Sequence, residues 1–307
     1  MAGLVVLQKM VMLIILMMVG FGAAKAGWLD GRFNQAASRL VTNVFIFCTI
    51  TGSVMNVDPQ LSGGELGLAI GAIFLTFLIG GAIGWAVSRL LPLKGQERNV
   101  AWLSIFFMNN VFVGFPVVEA VFGPDAIFCA SLSNIPFNLL LYTVGAANLR
   151  GNAGRGKVHI REILSAPLAA TFIAIFLFLT RLPVPGLIAD TVTTLGSVTV
   201  PMSMLIIGVS LSQVPIRSAL VDWRAYAVSL ARLLLCPVAG WLAMGLFLPH
   251  DGTILGVYTV TAACPSAAMI TILSIRYGAD DSFASKINFL TTVLSALTLP
   301  LITYFLL

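Results

Sequence analysis

Apolar runs of about 20 residues, the length that spans a bilayer as a helix, repeat along the chain with short polar joints between them. Read by that length, the pattern predicts ten spans, at roughly 3–22, 40–57, 66–88, 100–122, 127–147, 163–181, 191–213, 225–248, 253–275 and 287–307. Two of them are interrupted by proline. The fourth carries Asn109-Asn110-Val111-Phe112-Val113-Gly114-Phe115-Pro116, and the ninth carries Ala262-Ala263-Cys264-Pro265-Ser266. Each is the fourth span of a five-span half. An odd number of spans inserts the second half upside down relative to the first. The expected fold is therefore an all-α membrane protein, one membrane domain built from two inverted five-helix repeats, 1–148 and 163–307, with a hydrophilic joint at 149–162.

Proline deletes a helical hydrogen bond and clashes with the preceding turn. In lipid the freed backbone groups need protein or a water-filled cavity. Paired breaks at matching places in two halves are the sequence pointer to a transporter's binding site. In the first break, Asn109 and Asn110 offer uncharged amides beside half-helix ends, and Gly114 tolerates non-helical torsions ahead of Pro116. In the second, Ser266 follows Pro265 as the natural first residue of the outgoing half-helix, where a hydroxyl and free amides suit an anionic oxygen. Asn43, Asn134, Pro136 and Asn138 are further mid-span groups, read equally well as ligand contacts or as polar bonds between helices. Pro201, ahead of Gly208, predicts a kink. Of the ionisable residues inside spans, Lys9 and Glu119 lie near span ends. Arg232 lies two turns into the eighth span, where it either snorkels or presents a fork to a carboxylate.

Charge fixes an orientation. Of the 17 Lys and Arg, all but Lys9, Arg181 and Arg232 fall in odd-numbered joints, whereas Asp58, Glu65, Asp125, Asp190 and Asp251 fall in even ones. The positive-inside rule puts the odd joints in the cytosol and both termini outside. The first apolar run, flanked by Lys25, Arg32 and Arg39, reads as a span rather than a signal peptide. With 59% hydrophobic and 9% charged residues the chain is not a soluble globule, and its net charge of +5 reflects basic joints rather than nucleic-acid binding. Cys48, Cys129, Cys236 and Cys264 are isolated in apolar segments, and His159 and His250 are far apart, so no metal site is expected. No enzyme motif and no cofactor fingerprint occurs, and no carboxylate marks a proton relay at mid-membrane.

The spacing Asn109-x-x-Phe112-x-Gly114-x-Pro116, followed by Phe122-Gly123, resembles the fourth span of the auxin efflux carrier family. Pro265-Ser266-Ala267, Tyr277-Gly278, Ser285, and Ser295-x-x-Thr298-Leu299-Pro300 resemble its last two spans, and Pro201 with Gly208 and Leu211 its seventh. The resemblance covers the whole chain and implies a bile-acid-transporter type of fold. In that fold spans 4 and 9 cross as broken helices and a crossover domain (spans 3–5 and 8–10) moves as an elevator against a scaffold (spans 1, 2, 6 and 7). It implies transport of small organic anions, auxin in plants and malonate or related carboxylates in bacteria, with Asn109 at the ligand and Pro116 and Pro265 as the crossover prolines. Val44-Phe45-Ile46-Phe47-Cys48 stands where the family often has a proline in span 2, and the short joint lacks the long cytosolic loop of plant carriers. A bacterial malonate-type carrier in the inner membrane is the nearer comparison. A sodium-coupled bile-acid-like symporter and a membrane ligand sensor are the other readings. Proton or sodium coupling stays open, as does a homodimer alongside contacts to lipid.

Overall fold

The computed structural model describes residues 2–55, 63–150, 165–213, 220–249 and 252–306, without the side chains of 2–7, 9, 10 and 63. Most of the joint at 149–162, Asp58, Arg217, Asp251 and the Lys9 side chain lie outside the described residues. The chain is helical, and among the described residues there is no strand, only one isolated bridge. Among the described residues, five helices are long and apolar enough to cross a membrane: Gly64–Leu90, Ala126–Arg150, Gly186–Gln213, Trp223–Met244 and Asp281–Leu306. Shorter apolar helices occupy Val11–Lys25, Asn110–Phe122, Ala166–Thr180, Thr253–Ala263 and Ala268–Tyr277. These helices lie on nine of the ten predicted runs, two of them on the ninth, while the run at 40–57 meets the shorter pieces Gly31–Leu40, Val41–Phe45 and Ile46–Gly52.

The pattern of exposure fits lipid rather than water. Large apolar side chains such as Ile15, Leu78, Phe176, Leu242 and Leu297 are exposed, while hydroxyls lie inside. Those hydroxyls bond their own helices: Thr76 Oγ1 donates to Ala72 O at 2.9 Å, Ser229 Oγ to Ala225 O at 2.7 Å and Thr259 Oγ1 to Leu255 O at 2.7 Å. A hydroxyl satisfied on its own turn can sit in an apolar interior without a desolvation penalty.

The chain folds into two compact units. The first comprises Met1–Gly71, Val111–Ile135 and Leu164–Gln213, the second Ala72–Asn110, Pro136–Ile163 and Val214–Leu307. The family-type division keeps spans 1, 2, 6 and 7 together, as the first unit does. It differs at 66–71, the start of span 3, and at 111–135, the latter part of span 4 and the start of span 5, which belong to the first unit as well.

Inside the first unit, helix Ala2–Lys25 packs on helix Thr199–Gln213 through two glycines. A Cβ on Gly208 would lie 2.0 Å from Met17 O, and one on Gly20 would lie 2.3 Å from Leu205 O. Only hydrogen leaves room for backbones this close. Helices Gly186–Ser197 and Thr199–Gln213 meet at Val198, three residues before Pro201, where the proline removes a helical donor. Next to that joint Thr49 Oγ1 lies 2.9 Å from Gly196 O and 2.7 Å from Thr199 Oγ1.

In the second unit the glycine-rich helix Gly63–Leu90, from Ala72 onward, receives helix Gln96–Phe106. A Cβ on Gly84 would meet Trp102 O at 2.8 Å, and Trp102 Nε1 donates to Gly81 O at 3.0 Å. The Gly80, Gly81 and Gly84 stripe therefore serves packing within one chain. Basic joints converge at one end of this unit. Arg224 bonds Glu97 at 3.0 Å, Lys286 bonds Asp222 at 3.2 Å, Arg150 Nη2 bonds Tyr277 Oη at 2.9 Å, and Asn99 Nδ2 bonds Asn148 O at 3.0 Å. Joints that the charge alternation assigns to one side of the membrane thus touch one another.

Candidate functional site

Both interrupted spans open within the second unit. Helix Gln96–Phe106 ends at Phe107, whose backbone is extended, and helix Thr253–Ala263 ends at Cys264, also extended. Each incoming half-helix is 11 residues long. The two extended stretches lie antiparallel with Met108 opposite Ser266. Asn109 N donates to Pro265 O at 2.8 Å and Ala267 N to Phe107 O at 2.9 Å. Each break thus supplies an N–H and a C=O to the other. This settles two backbone donors that lipid could not satisfy. Phe107 is fully buried and packs against Phe77, Phe106 and Phe137, with ring centroids 6.3, 4.6 and 5.6 Å away.

The last carbonyls of a helix have no partner within it and form its negative end. Here one side chain meets those of both incoming half-helices. Arg232, only 1% exposed, donates from Nη1 to Ile105 O at 3.0 Å, from Nη2 to Ala262 O at 2.6 Å and from Nε to Cys264 O at 3.0 Å. It stands in a π-turn, Ala231–Leu235, that ends two residues before Pro237. The wider turn accommodates a ring that would clash with the carbonyl four residues back. Arg232 therefore neither snorkels nor presents a free fork to a carboxylate, since its head is engaged with main-chain oxygens.

The proline reading is corrected at the first break. The chain opens at Phe107–Asn109, well before Pro116. Pro116 sits in the first turn of helix Phe115–Phe122, behind a π-turn at Asn110–Gly114. Gly114 is helical, with φ −63° and ψ −50°, so its tolerance for other torsions is unused. Pro265, in contrast, lies in the break itself. The cap also shifts at the second break: Ala267, not Ser266, precedes helix Ala268–Tyr277. The Ser266 amide already donates to Thr291 Oγ1 at 3.2 Å. Thr291, in the last helix, is a supporting residue the sequence reading passed over, because a threonine bonding its own helix looks like every other.

Of the predicted site residues, the second unit gathers Asn109, Asn110, Asn138, Arg232, Pro265 and Ser266, while Asn43, Gly114 and Pro116 belong to the first. Asn109 is half-buried in the break, Asn110 and Asn138 are buried, and Asn43 is exposed on a π-turn at Val41–Phe45. No Asp or Glu occurs in 107–110 or 264–267, and Arg232 adds a full positive charge. The Asn amides and the N-terminal end of helix Ala268–Tyr277 suit an anion, whereas the Arg232 charge is met by the carbonyl ends of the incoming half-helices. Among the described residues no group of His, Cys, Asp or Glu is placed to hold a metal.

At the basic end of this unit, Asp222 caps helix Trp223–Leu230 and bonds both Arg224 and Lys286. Burial alone would raise its carboxyl, but the hydrogen bonds and charges of Arg224 and Lys286 outweigh that and hold it below the ordinary aspartate range.

A family model described as membrane transport protein matches this chain over residues 5–159 and 154–303. An uncharacterised transporter of Methanothermobacter thermautotrophicus is 26% identical over 301 residues, covering 96% of both chains. An uncharacterised transporter of Methanocaldococcus jannaschii is 25% identical over 309 residues, covering 96% of this chain and 97% of its own.

Proposed function

Because the chain belongs to the membrane transport protein family, that of the auxin efflux carriers, we propose that this transporter is a secondary carrier of small organic anions, with malonate and related carboxylates as the first class to try. The observation that carries this reading is the crossed break. It sets Asn109 beside two half-helix ends and a buried guanidinium, with no acidic side chain in either extended stretch. A carboxylate there finds amide donors and no acidic neighbour, whereas a cation finds neither a carboxylate nor free carbonyls of Ile105, Ala262 or Cys264. Asn109, Asn110, Asn138 and Ser266 are the proposed ligand contacts, with Pro265 shaping the second break.

The reading includes ten spans in two inverted halves, both termini on the non-cytosolic face of a bacterial inner membrane, and elevator-type alternating access. The charge alternation, the contacts among basic joints and the division into two compact units support it. Ligand-induced thermal stabilisation tests the substrate class. Malonate, succinate and indole-3-acetate are each added to purified protein, with and without sodium and at two pH values. A ligand that binds only the folded state stabilises it by about 2.7 kcal/mol at about 100 times its Kd. The expected result is a melting shift with a small carboxylate that disappears in Asn109→Ala while that variant still melts cooperatively. No shift with any carboxylate, or an unchanged shift in Asn109→Ala, would contradict the assignment.

A further inference from the structure

In a carrier with crossed half-helices, unwound carbonyls and helix C-terminal ends are what coordinates an alkali cation. Here the Ile105, Ala262 and Cys264 carbonyls come from the C-terminal ends of both incoming half-helices, and all three accept from one guanidinium, at 3.0, 2.6 and 3.0 Å. The side chain is 1% exposed and reaches this point from a third helix. Gly80 borders the same place: a Cβ there would lie 3.7 Å from Ile105 O and 4.0 Å from Arg232 Nη1. The head is planar, always charged and fixed in its donor directions.

We propose that Arg232 is the crossover's resident cation: its guanidinium holds the carbonyls that a coupling ion would otherwise take, joins the two breaks, and makes their stability independent of sodium. It acts as a positioning residue, through the breaks that carry Asn109 and Ser266, and not as a contact to the transported molecule. The charge counters the negative ends of two half-helices without an exchangeable ion. It therefore supplies permanently what binding of a cation would supply only while bound. The consequence for transport rests on the carrier reading, but the test below needs no substrate, so the two can fail separately.

Full-length protein is melted in sodium, potassium and choline chloride at equal ionic strength. Wild type is expected to melt at one temperature in all three. A melting temperature raised by sodium alone would overturn the proposal, because the crossover would then still take an ion. Arg232→Ala leaves three buried carbonyls unpaired and opens a hole the shape of the lost head. It is expected to melt well below wild type. Guanidinium, far below denaturing concentration, should raise that temperature more than choline at equal ionic strength, whereas wild type should show no such gain. Failure of guanidinium to stabilise a folded Arg232→Ala protein selectively would also overturn the proposal. If Arg232→Ala does not fold, Arg232→Lys takes its place. Lysine keeps the charge but not the planar fork, so the same comparison applies to its melting temperature, with the same two outcomes.

Discussion

Arg232 holds the break through its side chain, and Asn109 enters the break through its main chain. That difference separates what mutation should do at each. Asn109 N bonds Pro265 O through a backbone group that alanine keeps, so truncating Asn109 removes an amide without unpairing the breaks. Arg232 has no such substitute. The sequence showed an arginine inside a span, and an intramembrane charge is a signal of function in its own right. It could not show which oxygens the guanidinium meets, because Ile105 and Ala262 are far from it along the chain. The same limit hid the pairing of Met108 with Ser266 and the role of Thr291. Asp222 gives a prediction with a sign. Its folded pKa is depressed, so its contribution is complete above the unfolded value of about 3.9 and is lost as pH falls through the folded one. Asp222→Asn should therefore melt below wild type at neutral pH, by a margin of about 1 kcal/mol for a partly exposed ion pair. Melting curves recorded down the acid range should show the two proteins converging. A gap that persists unchanged at the acid end would place its origin elsewhere.

Helices were more legible than the places where they break. Long apolar runs located the helices because lipid demands that length and every backbone bond within it. Proline located breaks only in part. Pro265 lies in an extended stretch, and Pro201 follows a one-residue interruption of its helix at Val198. Pro116 and Pro237 each follow a π-turn and leave their helices continuing. A proline removes one donor, and whether the chain then opens depends on what can receive the freed groups. At Phe107 the opposite break receives them, so the fourth span opens where no proline stands. Glycine had a comparable ambiguity. Gly80 and Gly84 pack on a neighbouring helix end, whereas a Cβ on Gly67 or Gly71 would meet no other part of the described residues within 4 Å. Gly208 gives the sharpest element-level test. A leucine there would drive its Cβ into Met17 O, and overpacking of a close interface costs about 1–3 kcal/mol or more. Gly208→Leu should lower the melting temperature and the yield of folded protein, while Gly67→Leu should leave both near wild type. Equal behaviour of the two would refute the close packing of the first helix.

The whole molecule joins two kinds of asymmetry. Apolar residues are exposed while hydroxyls lie inside, and basic joints gather at one end of the second unit. The first is what a hydrocarbon solvent selects, and the second is what the positive-inside rule expects of cytosolic joints. A cysteine introduced at Asn152, in the basic joint, should react with an impermeant thiol reagent only when the cytosolic face is opened. Labelling in intact cells would reverse the topology. The family was legible from spaced motifs across the chain, and the family match over residues 5–159 and 154–303 agrees with them. The substrate was not legible, because amides and helix ends recognise a carboxylate without specifying the rest of the molecule. Uptake into proteoliposomes tests the central claim most directly. With radiolabelled malonate and then other small carboxylates, wild type should accumulate at least one of them, in choline as well as in sodium buffer, and Asn109→Ala should reduce that uptake to the empty-liposome level. Carboxylate uptake that survives Asn109→Ala, or none by well-reconstituted wild type, would contradict an anion carrier built on the crossed break.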